Sequence, residues 1–385
     1  MDNLPTLYPR FSDAEYQRRF TLVRGMMERE GVEALLVFGG TGAASIHYLT
    51  NHMTRSGAWL VFPKTGDSTL FVNLYNHIPT TKNMSLVADV RCYHPSGPKA
   101  VAEELRQRDL NAKRIGIVGL GSTIPYNTFM SLKAAVPDVD FVDLSRPFNW
   151  IRWIRSDEEL GWFRKSAQLT DLTCELLGER IRPGLSEHDL VSIIHEACVP
   201  HDGNPTLHFI TTTPMDAPER CLPWQYPTNR KLSVGDMVTT EITVTYWTYA
   251  SQTHRPYAVG KDPNDTYRRL FDVAHECFER VRAVLKPGAT SEDVVAASSI
   301  IEERGFTAYD SLLHGEAARN PELGTQTSHH PVEPWTFQEN MVVVIQPNPV
   351  TTDFKAGLQL GSAVVINSGE AEILQKYPFR FTVCG

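Results

Sequence analysis

Between Gly235 and Gly260 the sequence reads GDMVTTEITVTYWTYASQTHRPYAVG, placing a carboxylate, an amide and an imidazole close together at Glu241, Gln252 and His254. Gly235-Asp236 is a turn signal, and the two runs behind it carry β-branched and aromatic residues at every second position, the pattern of paired strands. Side chains alternate across a strand. Glu241 therefore shares a face with Met237, Thr239, Thr243, Thr245 and Trp247, while Val238, Thr240, Ile242, Val244 and Tyr246 take the other. In the second run Gln252 and His254 point the same way. A carboxylate beside an imidazole can orient it and let it move a proton near neutral pH, and an adjacent amide offers both donors and an acceptor. Each of these groups needs a partner if buried. The same residues also fit an ordinary hairpin with a solvated polar face.

The chain that must position these residues has 385 of them, 42% hydrophobic and 10% aromatic, enough for a large core and two domains. A net charge of −8 with no Lys/Arg cluster argues against a nucleic-acid surface. Six cysteines lie scattered with no CxxC pair, and there is no signal peptide or long apolar run, so a reduced, cytoplasmic protein off the membrane is expected. Residues 13–30 have helical periodicity with Phe20, Val23, Met26 and Met27 in one stripe. A strand is expected at 34–38, with further short strands at 46–50, 57–63, 68–74, 87–93, 114–118 and 140–144 and a helix near 100–108. This alternation predicts an α/β domain over residues 1–155. Gly39-Gly40-Thr41-Gly42 lacks the lysine and spacing of a phosphate loop and reads as a turn.

Ser156 with Glu159 forms a capping box that opens a long helix, with Leu160, Phe163, Ala167 and Leu172 expected on its buried face. Beyond it the sequence repeats weakly. Arg182-Pro-Gly-Leu-Ser-Glu-His-Asp-Leu-Val is echoed by Lys286-Pro-Gly-Ala-Thr-Ser-Glu-Asp-Val-Val, the glycines lying 288 − 184 = 104 residues apart. Residues 156–385 therefore read as an α+β domain with a pseudo-twofold duplication, helices packed on an antiparallel sheet.

This frame resembles the creatinase/aminopeptidase P/prolidase superfamily, whose "pita-bread" domain follows a smaller α/β domain. The run from Gly235-Asp236-Met-Val to Ser251-Gln-Thr-His-Arg-Pro-Tyr-Ala-Val-Gly260 is similar to the segment in which the family's metallopeptidases carry two metal-binding aspartates. The resemblance puts Glu241 and Gln252 at those two places. It puts His314, in Leu313-His314-Gly315-Glu316, at the ligand histidine, Gln346 before Pro347 at a glutamate, and Gly361 at the last glutamate. Of the five, His314 alone is retained. Two hard cations in one site need several carboxylates, so no metal cofactor is expected, with a single weakly held ion on Glu241 and His314 left open. Creatinase works without metal, but the position of its catalytic histidine holds Trp224 here, and its substrate-binding glutamates fall at His254 and Gly361.

The resemblance implies a cleft in which His254, His314 and Glu241 are catalytic. Gln252, Gln346 and His329 would hold a small ligand between flat walls from Trp224, Trp247 and Tyr249. Arg55, in the segment after Tyr48-Leu49-Thr50, would recognise a substrate carboxylate across a homodimer, the N-terminal domain of one subunit completing the other's site. The expected activity is metal-independent hydrolysis of a C–N bond in a small carboxylate-bearing metabolite, with His254 or His314 moving the proton and Glu241 orienting it. A lyase or isomerase using the same groups is an alternative, as is a non-catalytic protein whose cleft binds a ligand or partner. Peptidase activity is disfavoured, because without metal nothing evident generates a hydroxide at neutral pH.

Overall fold

Residues 7–315, 321–325 and 334–385 are described by a computed structural model, and the chain divides into two compact units, Met1–Arg152 and Trp153–Gly385. The N-terminal unit is built on a six-stranded sheet of β1 (Ala34–Gly39), β2 (Ala58–Pro63), β3 (Thr69–Val72), β4 (Asp89–Cys92), β5 (Arg114–Val118) and β6 (Asp140–Asp143), in the order β4-β3-β2-β1-β5-β6. β2 runs antiparallel to β1 and β3, and the remaining pairs are parallel. Its helices are α1 (Asp13–Glu30), α2 (Ala44–Thr50), α3 (Ile78–Met84), α4 (Gly97–Gln107), α5 (Tyr126–Ala135) and α6 (Ser145–Trp153), the last reaching the boundary between units.

Both faces of this sheet are covered, which is why its central strands read as continuous apolar runs. Leu35 and Val37 pack in one core with Val23, Met26 and Met27 of α1, whereas Ala34 and Leu36 pack in the other with Val101 and Leu105 of α4. α1 starts at Ser12, whose hydroxyl accepts from the Glu15 amide, and ends at Gly31, whose left-handed φ of 65° lets the chain turn back. Residues 46–50, expected as a strand, are the helix α2. A five-residue apolar run has no period long enough to separate strand from buried helix, and here burial of the whole stretch sets the outcome.

The C-terminal unit has helices α7 (Asp157–Arg180), α8 (Glu187–Cys198), α9 (Asp265–Val284) and α10 (Ser291–Ala297). Its strands are β7 (Gly203–Pro214), β8 (Asp236–Tyr246), β9 (Tyr249–Val259), β10 (Thr307–Ala308), β11 (Leu313–Gly315), β12 (Glu322–Leu323), β13 (Val342–Ile345), β14 (Pro349–Val350), β15 (Gly361–Val365), β16 (Glu372–Ile373) and β17 (Thr382–Cys384). The main sheet runs β12-β11-β13-β15-β9-β8-β7, with β16 beside β15 and β17 beside β9; β10 and β14 form a separate pair. Every pairing in the main sheet is antiparallel except β17 on β9.

The sequence repeat is a repeat of structure. Ser186 and Thr290 each cap a helix through a capping box with the aspartate three residues on, Asp189 and Asp293. Each forms an isolated bridge, to Lys231 and to Thr336, and the amides of Gly184 and Gly288 donate to Leu232 and Phe337 in the same way. The offsets agree to within one residue: 290 − 186 = 104 and 336 − 231 = 105. α7 follows the expected capping box of Ser156 and Glu159, but Leu172 is exposed; the buried stripe continues instead through Thr170, Thr173, Cys174 and Leu177. That stripe lies on β8 and β9, where Val238, Ile242, Val244 and Tyr257 complete the core and Ser166 Oγ donates to the Val244 carbonyl at 2.6 Å. The face of β8 opposite this core carries Glu241. No helix among the described residues is long and apolar enough to cross a membrane.

The N-terminal unit buries two histidines, His47 and His52, and burial, ahead of nearby charges such as Arg19 on His47 and His77 on His52, lowers their pKa values to about 3 and about 4. Both folded values lie below the unfolded value of ~6.5. The unfolded chain therefore binds a proton first, and stability falls as pH drops through the window from ~6.5 towards the folded values. Each histidine should remove roughly 1.4 kcal/mol per pH unit in that window. Urea unfolding at pH 7.5 and 5.0 should show this loss, and His47→Asn should flatten it; an unchanged pH slope in that variant would refute the assignment.

Candidate active site

β8 and β9 form a hairpin registered from Met237↔Ala258 to Tyr246↔Tyr249, in which Glu241 lies opposite His254 and Thr243 opposite Gln252. The diagonal neighbours Glu241 and Gln252 are therefore within side-chain reach. Gln252 Nε2 donates to Glu241 Oε1 at 2.9 Å and to Gln346 Oε1 at 3.1 Å, and lies 3.1 Å from His254 Nε2. Thr243 Oγ1 donates to Gln252 Oε1 at 3.0 Å, which fixes the amide with its nitrogen inward. Three acceptors thus converge on one nitrogen that has two protons.

Gln346 follows β13 and is oriented from its far side, its Nε2 donating to both the carbonyl and the hydroxyl of Ser311 at 3.1 Å. Its Oε1 faces His314 Nε2 at 3.1 Å, while His314 Nδ1 faces the Gly315 carbonyl at 3.2 Å. Both ring nitrogens of His314 look at carbonyl oxygens. A neutral ring donates through one of these two nitrogens, and the tautomer decides which.

A cavity of about 570 Å³ lies over this cluster, walled by Glu241, Thr243, Gln252, Asp310 and His314 with apolar surface from Phe209 and Leu222. Asp310 is held at its edge by the Ser311 amide and by Gln359 Nε2. Its described walls hold two carboxylates and no Lys or Arg. A second chamber of about 470 Å³ shares Leu222, Pro223, Gln225 and Tyr309 with the first and adds Arg220, Trp224, Tyr226 and Phe354.

Glu241, Gln252 and His314 reach the cavity together, and Gln346 supports them from behind. His254, expected as a proton carrier, does not line it. The ring is fully buried, and burial first, then His314 and Arg255, push its pKa well below the ordinary imidazole value. Its Nε2 meets an amide donor, so it stays neutral and braces Gln252. Its Nδ1 lies beside Gly361, its cross-strand partner in β15: a Cβ there would sit 2.7 Å from Nδ1 and collide with the Ile345 carbonyl. Glycine at 361 thus makes room for the imidazole.

Three expected walls fall elsewhere. Tyr249 points to α7, its hydroxyl donating to Glu159 at 2.9 Å and its ring packed edge-on against Phe163. Trp247 sits in the hairpin turn with φ of 57°, because the antiparallel register closes at Tyr246↔Tyr249 and the face pattern ends there. Trp224 lines the second chamber rather than the first. Arg55 belongs to the N-terminal unit, where it is exposed and its carbonyl accepts from Thr41. His329 lies outside the described residues. Sequence reasoning missed Asp310 and Tyr309, whose only signal was their place just before the Ser-Leu-Leu-His314 run.

The donor set does not suit a pair of metal ions. Among the described residues Glu241 is the one carboxylate of the cluster, the amide nitrogen of Gln252 points N–H bonds at the acceptors a cation would use, and Gly361 contributes no donor. Among the described residues no group of three His, Cys, Asp or Glu is placed to hold an ion.

Residues 161–368 match the family model described as metallopeptidase family M24, and residues 19–154 match that of the creatinase/prolidase N-terminal domain. An uncharacterized hydrolase/peptidase of Sinorhizobium fredii is 28% identical over 78% of this chain and 79% of its own length. An Xaa-Pro dipeptidase of Pyrococcus horikoshii is 21% identical over 91% and 94%. Among solved structures, the prolidase from Pyrococcus horikoshii OT3 matches with a TM-score of 0.79 at 18% identity, covering 94% of this chain and 99% of that one. A recombinant prolidase from Thermococcus sibiricus reaches 0.82 at 19%, covering 97% and 100%. The architecture is thus an N-terminal α/β domain followed by a pita-bread domain, as the sequence implied.

The convergence on Gln252 gives a direct test. Gln252→Glu would bury a second carboxylate against Glu241 and the Gln346 carbonyl, whereas Gln252→Met removes the donors without adding charge. Urea unfolding in chelator should show a loss of about 3–5 kcal/mol for the first and about 1–3 kcal/mol for the second. Equal losses would mean that the amide protons do not organise the site.

Proposed function

The chain belongs to metallopeptidase family M24, and from that premise we propose that it is a hydrolase of C–N bonds that works without the metal pair, on a small amide or amidine held in the inner cavity. The observation that carries this reading is the amide nitrogen of Gln252, bonded to Glu241 and Gln346 where a cation would have to lie. The neighbouring wall keeps Glu241 and His314 beside Gln252, with the carboxylate of Asp310 at its edge.

Their surroundings divide the roles. Glu241 accepts a proton from water as the water oxygen bonds to the carbonyl or amidine carbon, and the same proton passes to the leaving nitrogen as the C–N bond breaks. His314, on the same wall, turns its Nε2–H from the Gln346 carbonyl to the former carbonyl oxygen as charge develops there. Gln346 fixes the ring and Gln252 fixes the carboxylate. The proton carrier of this reading is Glu241, with His254 a positioning residue behind Gln252. A carboxylate on the substrate finds no Lys or Arg on the described inner wall, so the reacting end is neutral or cationic.

Glu241→Gln should lower kcat by about 10²–10⁴-fold on a responsive small amide, with little change in unfolding free energy, measured as amine release from chelator-treated protein. His314→Asn should also lower kcat. Retained turnover in Glu241→Gln removes it as the base. Turnover abolished by chelator and restored by a divalent ion overturns the metal-free reading.

A further inference from the structure

The second chamber carries an aromatic lining that the hydrolytic chemistry does not use. Trp224, Tyr226, Tyr309 and Phe354 are 46%, 79%, 63% and 49% exposed, and they are all the exposed Phe, Tyr and Trp side chains among the described residues of the C-terminal unit. All four line this one chamber of about 470 Å³. Exposed aromatic surface gathered in one concavity marks a binding site, and the volume is that of a pocket for a small group rather than a protein.

The chamber is held in shape. Tyr309 and Phe354 pack edge to face at 5.4 Å, and the Arg220 guanidinium lies 3.8 Å from the centre of the Trp224 indole. Arg220 donates to Glu187 at 3.2 Å, and the same fully buried carboxylate accepts from the amides of Thr212 and Thr228. Glu187 therefore ties the loop bearing Trp224 both to β7 and to its own return path. Trp224 is fixed further by its amide, which donates to Thr211 Oγ1 at 2.9 Å.

We infer that this chamber is a subsite for a planar aromatic group of the substrate, whose amide or amidine end lies in the inner cavity. The assignment rests on the hydrolase reading for that cavity. Leu222, Pro223, Gln225 and Tyr309 wall both spaces, which places the two side by side. An aromatic occupant is favoured over an aliphatic chain because rings gain edge-to-face and offset contacts with four aromatic neighbours beyond the area they bury.

Phenylacetamide and indole-3-acetamide, with hexanamide as the acyclic control, provide the test by ligand-observed saturation-transfer NMR on the full chain. The aromatic amides should bind about tenfold more tightly than hexanamide, a difference a few ring contacts can supply. That advantage should persist in Glu241→Gln and fall below about twofold in Trp224→Ala/Phe354→Ala, whose substituted side chains are exposed enough for the fold to be kept. Thermal unfolding of the double variant and of each single variant checks that retention. No aromatic advantage in the wild-type chain, or an advantage that survives in a folded double variant, overturns the subsite. Failure of the hydrolase reading is seen separately, as turnover retained in Glu241→Gln whatever the aromatic binding shows.

Discussion

The amide nitrogen of Gln252 is the point on which the site depends. It carries two protons and faces Glu241 Oε1, Gln346 Oε1 and His254 Nε2, all within 3.1 Å. A group of acceptors this dense is unstable without something positive at its centre, and buried acceptors left unpaired cost about 1–3 kcal/mol each. In a site with several carboxylates a cation would fill that need. Here the acceptors belong to one carboxylate, one neutral amide and one neutral imidazole, and the N–H bonds of Gln252 lie among them. The residues around Gln252 follow from this: Thr243 orients its oxygen, Ser311 orients Gln346, and Gln346 in turn sets the donor direction of His314.

The backbone has been fitted to the same end. β9 and β15 pair at only two positions, Gly361↔His254 and Ser362↔Thr253. That short seam is held by Arg255, buried, which donates to the carbonyls of His254, Gly361 and Tyr377 and to Ser362 Oγ. A guanidinium with fixed donors can satisfy several backbone oxygens at once. It therefore holds His254 close to Gly361, where no side chain other than hydrogen fits. Imidazole at 254 and glycine at 361 are one substitution in physical terms, since the ring occupies the space a side chain at 361 would need.

Much of this was legible in the sequence, and the residues show why. The capping box at Ser156 and the repeat at Gly184 and Gly288 are local signals, fixed by neighbours in the chain, and the structure has them where the sequence put them. Two-residue alternation placed Glu241 and Gln252 on one face of a hairpin. Alternation says which face a side chain takes but not what covers that face, so it could not tell that His254 would be sealed beneath Gln252 while His314 reached the cavity. It fails also where a strand ends: Trp247 continues the pattern in sequence but lies in the turn. Residues 46–50 have strand-like composition and form a helix because the core around them, and not their own preference, decides. Tyr309 and Asp310 belong to a loop whose position is set by Gln359 and Ser311, contacts no local pattern carries.

Hydrolysis without a Lewis acid, as proposed for this site, shifts the catalytic burden. A metal pair both polarises the carbonyl and generates hydroxide near neutral pH, each effect amounting to several kcal/mol of barrier. A carboxylate base and an imidazole donor supply less, because neither holds a full positive charge against the developing oxyanion as closely. The remainder has to come from placing the reacting bond correctly, which binding energy from a non-reacting part of the substrate can supply. A rigid aromatic chamber that shares walls with the reacting cavity is the kind of structure that provides it. Glu187 therefore matters to the chemistry although it lies outside the inner cavity, since it fixes Arg220 and through it Trp224. On the proposed metal-free reading, with Glu241 and Asp310 the carboxylates on the described inner wall, the walls that hold the rest of the substrate act as part of the catalyst.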